Sequence, residues 1–167
     1  AGGRIGTLAG TEYLDGGKRY DSWRDTHLRL EGGSVNLLQA IYAIDWFNTT
    51  GEEICFDPKY YSGIEESAKG TGTLPIQLPT AGYDTQWPAL LHLYFAMITM
   101  AQKNITIVSP YFVPTAGLLI ALKTAAMRGL SVTVLMAGVP DNPLPYWAAF
   151  SYFDELLRAG VKVFQYK

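Results

Sequence analysis

The groups of this chain that can do chemistry are few. His27 and His92 are the only histidines, and Cys55 is the only cysteine. Asp25 stands two residues before His27 in Trp23-Arg-Asp-Thr-His27. Residues two apart on a strand share a face, so this carboxylate can orient the imidazole. The competing reading is a polar pair facing a neighbouring strand, with no chemistry attached. His92 falls inside the apolar stretch Trp87 to Met100 and reads as a core or edge histidine. A second group of candidates lies in Ser109-Pro-Tyr-Phe-Val-Pro114 and in Asp141-Asn142. Each segment follows an apolar strand pattern and precedes a helix pattern. Ligands of parallel sheets bind beyond the carboxyl ends of the strands, and helix N-termini attract phosphate. Tyr111 and Phe112 can therefore line a phosphate or acyl pocket, with Asp141 on the same rim. Against this stands ordinary turn packing between two prolines. Gly70-Thr-Gly-Thr-Leu-Pro75 has two glycines of a nucleotide fingerprint, lacks the third, and reads as a loop.

The elements that must hold these groups are clearest from residue 87 onward. A helix is predicted from Trp87 to about Gln102, a strand over Ile105 to Ser109, and a helix capped by Thr115 and ending at Arg128-Gly129. A strand over Ser131 to Met136, a helix from about Pro145 to Gly160, and a strand over Val161 to Tyr166 follow. This β-α-β-α-β order predicts an α/β fold with a largely parallel sheet, and strands this apolar suit a sheet covered on both faces. Upstream, Gly6 to Leu14 and Thr26 to Leu30 read as strands. Ser34 reads as the N-cap of a helix reaching about Phe47, with Gly51 just past its end. Residues 51–86 read as a connector with one short strand at Ile76-Gln-Leu78. The expected division is thus 1–50, 51–86 and 87–167.

Composition narrows the function classes. The chain has 167 residues, 49% of them apolar, enough for one real core. A formal net charge of −2 leaves no basic footprint, so nucleic acid is not expected as a partner. One cysteine excludes an internal disulfide and a Cys-rich zinc site. The apolar run Trp87 to Met100 is shorter than the about 20 residues that a membrane span requires, so the chain itself is expected to be soluble. It begins at Ala1 without an initiator Met and reads as a piece of a longer protein.

Several segments, in order, resemble bacterial cardiolipin synthases of the phospholipase D superfamily. Gly6-Thr-Leu-Ala-Gly-Thr-Glu-Tyr-Leu14 is similar to the stretch that follows the family's first catalytic motif. Trp23 to Gly32, Asp45-Trp46, Ser109 to Pro114 and Leu156-Leu-Arg-Ala-Gly-Val161 match further family segments. Leu8 stands where the family has Asn, and Thr80-Ala-Gly82 where it has Ser-Gly-Pro. The resemblance implies a phospholipase D-like fold: a strand-helix remnant of one half (1–50), then the start of a second half (87–167). Such enzymes join two phosphatidylglycerols into cardiolipin and glycerol. One His-x-Lys-x4-Asp histidine attacks phosphorus to give a phosphatidyl-histidine, the other protonates the departing glycerol, and no metal or cofactor is needed. In this sequence His27-Leu-Arg29 has Ser34 where the motif has Asp, and His92 has no following Lys. No catalytic residue is therefore expected here; the chain corresponds to the stretch between the two motifs. Asp25, His27, Tyr111, Phe112 and Asp141 are expected to bind substrate. The resemblance implies phospholipid and the bacterial cytoplasmic membrane as partners of the whole protein. A phosphodiesterase or nuclease relative and a non-catalytic anion-binding module are the alternatives. The chain alone is expected to be inactive and to self-associate, by pairing of open sheet edges or by exchange of its N-terminal segment across the Lys69–Thr73 loop.

Overall fold

The computed structural model describes residues 28, 30–55, 57–61, 74–82 and 86–166. Contacts divide the chain into two compact units, with the boundary between Leu78 and Pro79.

In the first unit, helix α1 spans Ser34–Thr50 and a single turn, α2, spans Pro58–Tyr61. Gly33, rather than Ser34, is the N-cap of α1, because Gly32 turns the chain at φ 88° and Gly33 already has helical dihedrals. The helix outruns its expected end at Phe47. Thr49 and Thr50 donate their hydroxyls back to the carbonyls of Asp45 and Trp46, at 2.8 and 2.9 Å, which carries the helix one further turn. It stops at Gly51, whose left-handed φ of 73° lets its N–H close onto the Phe47 carbonyl. The strands expected at 6–14 and 26–30 lie outside the described residues, apart from Leu28 and Leu30, which join no element. The strand expected at Ile76-Gln-Leu78 is irregular chain. Pro75 and Pro79 flank it, and neither can donate to a ladder.

The second unit holds α3 (Ala89–Met100), β1 (Asn104–Val108), α4 (Ala116–Met127), β2 (Ser131–Ala137), α5 (Pro143–Arg158) and β3 (Lys162–Tyr166). The three strands form one parallel sheet in the order β1-β2-β3, with Ile105 beside Val132 and Val134 beside Val163. This is the architecture the sequence predicts. Alternation does the sorting: Val132, Val134 and Met136 of β2 are buried, and Ser131, Thr133 and Leu135 between them are not. The buried face meets Leu119, Ala121, Leu122 and Ala125 of α4 and Ala149 and Leu156 of α5, all in one core. Lys123 of α4 pairs with Glu155 of α5 at 2.7 Å above that core.

Both crossover helices thus lie on one face of the sheet. A sequential strand order with same-handed crossovers places them there. The expectation of cover on both faces is therefore not met within this unit: Val108 is 71% and Phe164 53% exposed on the other side. Helix α3 is likewise only partly covered within this unit. It packs on α4, Ile98 is its buried residue, and His92 is exposed. Arg128 fixes that packing by donating to the carbonyls of Thr99 and Ala101, at 3.1 and 2.9 Å, where α3 has run out of amide donors.

Candidate functional site

The carboxyl ends of the strands are closed by two loops. The first leaves β1 at Val108. The Ser109 N–H donates to the Leu135 carbonyl, so the ladder continues one step past the strand. Pro110 then stops it, having no N–H to donate. The Tyr111 N–H is held by the Ser109 hydroxyl at 3.2 Å, and the Val113 N–H by the Tyr111 carbonyl at 3.2 Å. This tight geometry sends neighbouring side chains opposite ways. Phe112 is 5% exposed and belongs to the core, whereas Tyr111 is 44% exposed on the rim. Thr115 then caps α4, its hydroxyl accepting from the Leu118 N–H.

The second loop leaves β2 at Gly138, whose N–H donates to the Tyr166 carbonyl at 2.8 Å. Asn142 caps α5 through the Leu144 N–H at 3.1 Å, and Pro143 occupies the first helical position, where its missing N–H costs nothing. Asp141 lies between. Its Oδ1 accepts from the Asn142 N–H at 2.7 Å, and its Oδ2 accepts from the Tyr111 hydroxyl. The two loops are thereby joined by side chains 30 positions apart.

A third contact continues the rim. Gln165 of β3 donates its amide to the Tyr146 hydroxyl at 3.0 Å. Tyr146 in turn heads an aromatic ladder along α5, with Phe150 at 5.0 Å and Phe153 a further 4.8 Å on. Trp147 beside it is 67% exposed.

Of the five expected substrate-binding residues, the structure brings Tyr111 and Asp141 into direct contact and puts Phe112 beneath them in the core. Asp25 and His27 lie outside the described residues. Tyr146 and Gln165 were not expected on the rim. Their signal in the sequence is positional: one lies in the first turn of the helix after Asp141, and the other is next to last in the last strand. Among the described residues no group of three His, Cys, Asp or Glu side chains gathers to hold a metal ion.

A three-stranded parallel sheet with its polar contacts gathered at the carboxyl rim is an α/β arrangement of the phospholipase D-like kind. Residues 94–167 match the family model described as "Cardiolipin synthase, PLD-like domain". The similarity extends beyond it. The chain is 46% identical over 165 residues, 98% of its length, to a cardiolipin synthase of Geobacillus sp. (strain WCH70). It is 44% identical over 99% of its length to cardiolipin synthase 2 of Bacillus cereus, and 38% identical over 98% to cardiolipin synthase of Staphylococcus aureus. It spans about a third of the length of these relatives: 32%, 32% and 33%. No solved structure matches it.

Proposed function

We propose that this chain is the central, non-catalytic part of a phosphatidyltransferase that converts two phosphatidylglycerols into cardiolipin and glycerol. Its two catalytic histidines would lie in His-x-Lys-x4-Asp motifs on either side of it. The observation that carries this reading is the similarity to cardiolipin synthases over nearly the whole chain. The rim adds support, since Tyr111 and Asp141 sit where ligands of parallel sheets bind.

In this reading a motif histidine attacks the phosphorus of the first lipid, and glycerol leaves with a proton from the other. That second histidine then takes the proton of the next phosphatidylglycerol's hydroxyl, which displaces the phosphatidyl group as cardiolipin. Tyr111 borders the phosphoryl group, Phe112 supports the loop from the core, Asp141 lies beside Tyr111 on the rim, and Asp25 and His27 complete the polar surround. The whole protein would work at the bacterial cytoplasmic membrane. Among the described residues no helix is long and apolar enough to cross one, so any span would come from elsewhere.

The test follows lipid products from phosphatidylglycerol vesicles. The full-length protein should yield cardiolipin and glycerol in equal amounts, and this chain alone should yield neither. Turnover by the chain that survives repurification and vanishes in His27→Ala would overturn the non-catalytic reading. Phosphatidic acid as the sole product would replace transfer by hydrolysis. In the full-length protein Tyr111→Ala should lower kcat about tenfold, the worth of one well-placed hydrogen bond, with the melting temperature unchanged.

A further inference from the structure

Asp141 faces a contradiction as a substrate-binding residue. A carboxylate turned toward a phosphodiester would repel it. The structure turns it elsewhere. Both its oxygens are engaged by the protein, Oδ1 by the Asn142 N–H at 2.7 Å and Oδ2 by the Tyr111 hydroxyl. Asn142 is itself committed, its Oδ1 capping α5 through the Leu144 N–H. Tyr111 is therefore tied through Asp141 to the first turn of α5. Its own backbone is tied to Ser109, and the adjacent Phe112 is anchored in the core.

We infer that Asp141 is a positioning residue: it acts through Tyr111, fixing the phenol and thereby locking the β1–α4 and β2–α5 loops into one arrangement. A half-exposed tyrosine without such an acceptor would spread over several rotamers, and the ordering would have to come from substrate binding. With the acceptor in place, the ring and its loop are ordered before substrate arrives. The inference rests on the proposed function for what the rim does, but the lock itself is a property of these two loops.

The experiment uses the full-length protein and four variants: Tyr111→Phe, Asp141→Ala, Asp141→Asn and the double variant Tyr111→Phe/Asp141→Ala. Tyr111→Phe and Asp141→Ala should each lower kcat about five- to tenfold, with KM within about twofold. The double variant should fall no further, because both changes remove one bond. Asp141→Asn keeps an acceptor oxygen and should stay within about twofold of the parent. Amide hydrogen exchange of the 109–114 segment should speed up in Tyr111→Phe and Asp141→Ala but not in Asp141→Asn. Multiplicative losses in the double variant, or unchanged exchange in Asp141→Ala, would overturn the inference. If Asp141→Ala does not fold, Asp141→Ser, too short to reach the phenol, takes its place. A parent protein that makes no cardiolipin would instead overturn the proposed function. The exchange measurement, which needs no substrate, would still decide whether Asp141 holds the loop.

Discussion

Gly138 occupies a place that no other residue fits. Its N–H donates to the Tyr166 carbonyl, and a Cβ built on it would collide with that same oxygen. The obstacle is backbone, which cannot rotate aside as a side chain can. We predict that Gly138→Ala pushes β3 away from β2 at the carboxyl rim and costs about 1–3 kcal/mol, read as a lower urea midpoint. Gly117, in the first turn of α4, is the contrast, since an added Cβ there meets nothing within 4 Å. Gly117→Ala should stabilise by about 0.5–1 kcal/mol through helix propensity. Phe112 makes a third case. Buried beside Tyr111 in the sequence, it should act on stability rather than on chemistry. Phe112→Ala should cost about 3 kcal/mol and leave KM unchanged in whatever enzyme remains folded.

At the scale of elements, the second unit was legible in the sequence, and so was α1 of the first with its stop at Gly51. From Asn104 onward β1 and β2 are short β-branched runs and β3 a short run opened by Gly160-Val161, and each signal is local. Gly129 and Gly160 end α4 and α5 at φ 93° and 90°, and Thr115 caps where a threonine before an apolar helix should. Where reading and structure part, a competing contact decides. Helix α5 starts at Pro143 rather than Pro145 because Asn142 supplies the cap two residues earlier. Helix α3 is apolar nearly all round, which reads as full burial, yet among the described elements α4 is the one it packs on chiefly, and most of its large side chains stay exposed. The rim was half legible. Strand order alone puts Tyr111 and Asp141 at the same end of the sheet, but loop geometry decides that they bond, and no spacing rule encodes it. The caps can be tested directly. Thr115→Ala should destabilise by about 0.5–1 kcal/mol, at the low end for a cap because the bond to the Leu118 N–H is long, at 3.4 Å. Thr115→Asp should recover the loss, and an equal loss in both variants would show that the cap bond contributes nothing.

For the whole molecule the uncovered face of the sheet matters most. Register aligns Val108 with Leu135 and Leu135 with Phe164, so one apolar row crosses all three strands. Its two ends are 71% and 53% exposed, and Tyr166 beside it is 47% exposed. A contiguous apolar strip of this kind is costly to leave in water, and a net charge of −2 gives little repulsion to keep two copies apart. We predict that the isolated chain self-associates through this face. Light scattering during size-exclusion chromatography at tens of micromolar (~10–50 μM) should give a mass above that of a monomer, about twofold for a pair that buries the strip symmetrically. Phe164→Lys places a charge at one end of the row without touching the core and should restore the monomer. The edge strands offer the competing route, because β1 and β3 each keep one side of their ladder free within this sheet. The same variant separates the two. Edge pairing runs through backbone groups and would survive Phe164→Lys, whereas face pairing would not. A clean monomer in the unsubstituted chain would mean that the strip is covered in solution, and that the face is not a contact between copies at all.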